Sequence, residues 1–179
     1  CMLNKVRGLL RAPGFEDSEV NFMARGLNVV LLFALAGVSL TLMDELVPLG
    51  YYPVNFCDSS GNPVASKLYR ITMVIFSQPG IEGYVFESCV SSQQLDNTAR
   101  GIIKALKELY PETGGQPNIP TVLAFRGAWD DDAIQLLADH NISAGRWVRV
   151  LGRKATERDV AQAFHALYRE WKASEGGVS

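Results

Sequence analysis

The stretch LNVVLLFALAGVSLTLMDE, residues 27–45, is the most apolar in the chain and ends on two acids. It reads either as a membrane span or as a strand, a turn and a helix inside a water-soluble domain. The run from Leu27 to Met43 has no formal charge, but it contains Asn28, Ser39 and Thr41. It also falls short of the ~20 mostly apolar residues that a spanning helix needs. Its flanks lean towards insertion, with Lys5, Arg7, Arg11 and Arg25 before it and Asp44 and Glu45 after it. A signal peptide fits poorly, because Glu16, Asp17 and Glu19 precede the apolar run. The soluble reading splits the stretch. Val29 to Phe33 suits a strand buried on both faces, and Ala36-Gly37 permits a tight turn. Val38, Leu42 and Leu46 then follow at helical spacing, and Gly50 stands where a helix-ending glycine is expected.

The rest of the chain favours the split. YPVNFC (52–57) is a second short strand and residues 64–77 a helix with a Gln-Pro-Gly stop. GYVFE (83–87) is a third strand. Residues 91–110 form the clearest helix, with Leu95, Ala99, Ile102, Ile103, Leu106 and Leu109 on one stripe. PTVLAF (120–125) and residues 130–139 make a fourth strand and helix, and residues 147–151 and 156–171 a fifth pair. Successive β-α units with short connections predict a parallel sheet with helices on both faces. A strand at Leu27–Phe33 completes that alternation at five strands, whereas a membrane helix there breaks it.

Composition sets outer limits. The chain has 179 residues, is 47% hydrophobic and 20% charged, and has net charge −2. These values describe a globular chain with a real core and no basic surplus of the kind nucleic-acid binders carry. Cys1, Cys57 and Cys89 show no CxxC spacing and cannot all pair, so the thiols read as reduced and the compartment as cytoplasm or an equivalent. With only His140 and His165, a zinc site would have to be improvised.

In parallel α/β sheets, ligands bind beyond the carboxyl ends of the strands. Those loops here carry residues 34–37, 58–63, 88–92, 126–127 and 152–153. Read together, they resemble the carboxy-terminal part of the succinate–CoA ligase β subunit, of the ATP-grasp acid–CoA ligase group. Glu19, Asn21 and Phe22, then Ala36, Gly37, Met43 and Asp44, fall in register with the family's E-L-N-Y/F-V, its N-G-A-G-L turn and its Met-Asp helix. Gly50, Pro53, Asn55, Phe56, Asp58 and Gly61 follow G-G-E-P-A-N-F-L-D-V-G-G without a gap. Gly101, Ile102, Ile103 and Ala105 match the helix with G-I-I-x-A, and PNIPTVLAFRG and GRWVRVLGR resemble the last two strands. Two departures stand out. Ala34 and Leu35 replace the family's Asn-Gly, and the glycine pair before the long helix is replaced within Glu87-Ser88-Cys89-Val90.

The resemblance implies a flavodoxin-like five-stranded parallel domain over residues 24–173. Residues 1–23 would then be the remnant of a preceding domain and 174–179 a flexible tail. It implies a ligase domain without its ATP-grasp half, inactive alone, in a hetero-oligomer with an ATP-grasp domain and an α-type CoA-binding subunit. No cofactor would be bound by this chain itself, with CoA, Mg and ATP or GTP serving the full complex. Neither a membrane nor a nucleic acid would be a partner, and the compartment would be the cytoplasm or the mitochondrial matrix. In the family a phosphohistidine of the α subunit is held by the amino ends of two helices, one per subunit. Ser91, Ser92 and Gln93 open the matching helix, where free N–H groups attract phosphate. Ser91 with Gln94 also spells a simple capping box. Gly37, Asn55, Asp58 and Gly61 would line the acid-substrate pocket, against the plainer reading of an Asx-type turn at Asn62-Pro63. Cys89 reads as a buried structural cysteine, although it stands between a strand and a helix amino end, where thiols become reactive. His140 and His165 read as solvated surface residues, and Arg146, Arg149, Arg153, Lys154 and Arg158 as a basic rim that could meet a nucleotide tail. The departures leave open a non-catalytic assembly module.

Overall fold

In the computed structural model, residues 20–22, 28–33, 36–57, 59, 62–89 and 94–175 are described. The opening stretch divides into strand β2 (Asn28–Phe33) and helix α1 (Ala36–Leu46), as its pattern predicts, except that Ala36-Gly37 open the helix instead of forming the expected turn. The helix tightens into a 3-10 turn, Val47–Leu49, and stops at Gly50, whose φ of 90° suits glycine and whose N–H returns to the Val47 carbonyl. No helix among the described residues is long and apolar enough to cross a membrane.

The β-α alternation continues through β3 (Tyr52–Cys57), α2 (Ala65–Phe76), β4 (Gly83–Ser88), α3 (Leu95–Leu109), β5 (Thr121–Phe125), α4 (Asp130–Asp139), β6 (Val148–Leu151) and α5 (Glu157–Glu175). The strands β3, β2, β4, β5 and β6 are parallel neighbours in that order. A sixth strand, β1 (Val20–Phe22), runs antiparallel along the outer side of β3. It corrects the five-strand expectation and lies within residues assigned above to a tail; three residues are too few for an alternation pattern to betray. At the other end α5 continues to Glu175, past the expected limit at 173. The β2–β3 register slips between Val29 and Val30, next to Pro53, which has no N–H for the ladder.

Right-handed crossovers place α1 and α5 on one face, where they pack together, and α2, α3 and α4 side by side on the other. Two glycines allow close approach. A Cβ at Gly83 would lie 2.4 Å from the Phe164 ring, and one at Gly101 would lie 2.3 Å from the Ala65 carbonyl oxygen. The core formed around them includes Leu42, Ile71, Tyr84, Phe86, Phe125 and Phe164, all fully buried.

Candidate functional site

Strand β4 is buried from end to end and apolar until its last two residues, Glu87 and Ser88. Its neighbour β5 is buried along its length and is followed at once by Arg126. The ladder pairs Glu87 with Ala124 and Ser88 with Phe125, and the Arg126 N–H extends it by donating to the Ser88 carbonyl at 2.8 Å. Parallel register partners share a face, so Arg126 reaches Glu87, with Nη2 2.7 Å from Oε1. The same Nη2 lies 2.6 Å from Glu157 Oε1 at the start of α5, and Nη1 donates to the Ala155 carbonyl at 2.8 Å. One guanidinium, 9% exposed, thus holds two carboxylates, of which Glu87 is wholly buried.

The two acids respond in opposite ways. Burial pushes the Glu87 carboxyl up to about 7 against the pull of Arg126, and the Glu157 charge adds to the rise. Glu157, partly open to water, is held below the usual carboxylate range, chiefly by its hydrogen bond from Arg126. Glu87 is therefore the one that takes the proton, and near neutral pH it is poised between charged and neutral. Such a group at the carboxyl end of a central strand is where acid–base chemistry is sought in this kind of sheet.

Beside it, Asp130 opens α4 almost fully buried. The Arg153 guanidinium forks onto both Asp130 oxygens, and Arg153 Nη2 also reaches Asp131 at 3.1 Å. The Arg153 side-chain hydrogen bond holds the Asp130 carboxyl below its usual range. A cleft of about 710 Å³ opens over this pair, lined also by Leu151, Gly152, Lys154 and Ala155.

The residues singled out from sequence meet this edge unevenly. Gly37 is in the first turn of α1, and Asn55 is in β3, in register with Val30 on one side and Phe22 on the other. Asp58, Gly61, Ser91, Ser92 and Gln93 lie outside the described residues. Two of the expected loops do touch: the Gln94 N–H donates to Asn62 Oδ1 at 3.2 Å. A capping box would set Gln94 three residues into the helix, whereas α3 begins at Leu95 with Gln94 as its N-cap and no side-chain cap bond there. Cys89 is exposed rather than buried, since it falls one residue beyond the strand. His165 is half-buried rather than freely solvated, with its Nδ1 2.8 Å from the Tyr51 hydroxyl. His140 is exposed, with Nδ1 3.0 Å from Lys107 Nζ. The basic rim is divided among local partners, with Arg149 near Glu170, Arg153 on Asp130 and Arg158 on Glu45. Among the described residues no cluster of three or more His, Cys, Asp or Glu could hold a metal ion. The Glu87–Arg126–Glu157 set escaped the sequence reading. Its signal was a charge at or just past the end of two adjacent apolar strands, in FES and FRG.

No family model matches the chain. Among curated proteins it is 25% identical over 126 residues to the succinate–CoA ligase [ADP-forming] subunit beta of Halorhodospira halophila, covering 70% of this chain and 31% of that protein. The curated relatives are succinate–CoA ligase β subunits. The Roseiflexus protein is 24% identical over 142 residues, covering 79% of this chain and 36% of its own length. The hydrogenosomal one of Neocallimastix frontalis is 26% identical over 130 residues, covering 73% and 28%. The match falls on their carboxy-terminal part, as the loop motifs implied, and the chain spans about a third of their length. Among solved structures, the ATP citrate lyase of Methanothrix soehngenii in complex with citrate and coenzyme A superposes with TM-score 0.63 and 18% identity, over 88% of this chain and 43% of that one. The dinucleotide-forming acetyl-coenzyme A synthetase 1 of Ca. Korarchaeum cryptofilum gives TM-score 0.62 and 17% identity, over 89% and 37%. These structures share the fold.

Proposed function

We propose that this chain is the flavodoxin-like CoA-ligase domain of an acid–CoA ligase β subunit, acting in the conversion of carboxylate, CoA and NTP to acyl-CoA, NDP and phosphate. The observation that carries the proposal is the alignment with the carboxy-terminal third of succinate–CoA ligase β subunits. The parallel strand order β3-β2-β4-β5-β6 supports the flavodoxin-like assignment, with its topological switch between β2 and β4. Whether this chain is a fragment of a longer β subunit or one subunit of a split enzyme, its activity needs an ATP-grasp half and an α-type CoA-binding subunit, together with Mg and ATP or GTP. The cytoplasm or the mitochondrial matrix is the compartment that suits such an assembly. Within this chain, Gly37, Asn55, Asp58 and Gly61 line the acid pocket, and the N–H groups of Ser91, Ser92 and Gln93 take the phosphate. The contact between Asn62 and Gln94 supports bringing those two loops to one place.

The test combines the chain with candidate ATP-grasp and α-type partners and follows acid- and CoA-dependent release of NDP. Turnover in the mixture, with none from this chain alone, is expected. No turnover with any partner set, while the partners assemble with the chain, would favour the second reading, an assembly module without catalysis. Ala34, Leu35 and the glycine-free Glu87–Val90 segment favour that reading. Phosphate titration followed by NMR adds a direct probe: the amides of residues 91–94 should shift, and less so in Ser92→Asp, whose charge repels the anion.

A further inference from the structure

At the edge of the sheet away from Glu87, where α3 and α4 lead back to the starts of β5 and β6, lies a cleft of about 680 Å³. Lys107, in the last turn of α3, and His140, at the C-cap of α4, meet there with Nζ and Nδ1 3.0 Å apart. An ammonium has protons and no lone pair, so Nζ donates and the imidazole Nδ1 accepts. The ring proton then sits on Nε2, which becomes a second donor. Among the described residues, these two are the only ionisable groups that line the cleft. The acids nearest in sequence serve other partners or stand aside. Glu108 accepts from the Tyr69 hydroxyl, Asp139 accepts from the Gln135 amide, and Glu112 lies off the cleft wall. The wall is braced by its own bonds, from Thr113 Oγ1 to the Gln116 carbonyl at 2.6 Å and from Gln116 Nε2 to the Asn141 carbonyl at 2.8 Å. The main-chain N–H groups of Gly114, His140 and Asn141 are spent on nearby carbonyls, so a ligand is met by side chains.

We propose that this cleft binds the phosphate group of a small phosphomonoester, held between Lys107 Nζ and the His140 Nε2–H. The positive charge of Lys107 has no carboxylate in the cleft to answer it, so an anion is the complement the wall lacks. Lys107 keeps further ammonium protons for ligand oxygens, and the Asn141 side-chain amide adds a neutral donor to the lining. A phosphate suits this set better than a carboxylate, because it offers one acceptor oxygen to each of the three side chains. The cleft falls within the ~300–1,000 Å³ of small-molecule sites and is much larger than one phosphate. Room therefore remains for the organic part of the ester, against Pro111 and Ala144.

This site stands apart from the ligase reading, whose phosphate contacts are assigned to Ser91, Ser92 and Gln93, and separate NMR signals report on the two. The full chain is titrated with inorganic phosphate and, in parallel, with glycerol 2-phosphate, at an ionic strength held constant with sodium chloride. The His140 ring and the Thr113, Gln116 and Asn141 amides are followed. Saturable shifts are expected there with both probes, and the ester should bind about threefold more tightly than phosphate. Lys107→Gln and His140→Gln, both at exposed positions, should each weaken binding about tenfold and leave the response of residues 91–94 unchanged. Shifts that never saturate, an ester that binds no more tightly than phosphate, or an unchanged affinity in Lys107→Gln overturns the proposal. Silence at residues 91–94 with binding intact at His140 would count against the ligase reading alone.

Discussion

At the scale of single residues, the division of one guanidinium between Glu87 and Glu157 makes stability depend on pH in two opposed ways. The Glu87 carboxyl stands near 7 in the folded chain against 4.5 for an ordinary glutamate. Below about 4.5 both the folded and the unfolded states hold this proton. Between about 4.5 and 7 only the folded state does, so stability falls as pH rises through that window and levels off above it. At about 1.4 kcal/mol per pH unit the fall amounts to roughly 3 kcal/mol. Glu157, Asp130 and Asp159 are shifted down, so their contribution is present above the usual carboxylate range and is lost as the pH drops through it. Maximum stability is therefore expected near pH 5. Urea midpoints at pH 5, 6, 7 and 8 should decline in the parent chain and stay nearly level in Glu87→Gln. Equal slopes in the two would show that Glu87 does not carry the effect.

Among the elements, α2 and α3 approach so closely at Gly101 that the usual helix preference is reversed. Alanine is the better helix former by about 1 kcal/mol in an exposed position. Here its Cβ would meet the Ala65 carbonyl at 2.3 Å and the Leu68 Cβ at 2.8 Å, so the helices must separate. Overpacking of this kind costs about 1–3 kcal/mol, and the contact with main chain, which cannot turn aside, sets it at the upper end. Gly101→Ala should lower the denaturation midpoint, whereas Gly114→Ala, at an open position with φ of 68°, tests backbone strain alone. The elements were largely legible because each apolar block, such as Val29–Phe33 or Pro120–Phe125, is bounded by turn residues. The start of α3 was not, because Ser91 and Gln94 imitate a cap although the helix begins at Leu95. The ion set was illegible for another reason: Glu87, Arg126 and Glu157 meet only through the β4–β5 register and the return of α5. Sequence spacing does not encode that meeting.

For the molecule as a whole, the two borders of the sheet are closed in different ways. On one side β1 covers β3 and is itself only three residues long. On the other, β6 pairs with β5 alone among the described residues, so its outer side has no partner strand there. Short borders and a charge within them are how soluble sheets resist joining one another. Arg149 supplies that charge, in the middle of Val148–Leu151. Without it the segment reads as four consecutive β-favouring apolar residues, the pattern that seeds fibrillar stacking. Arg149→Val should leave the monomer's fold intact yet raise light scattering on mild warming, with thioflavin binding as the second readout. A chain that stays clear would place the protection in the brevity of β6 instead. On this view the outermost arginine serves colloidal survival, since it keeps one copy of the sheet from being read as a template by the next.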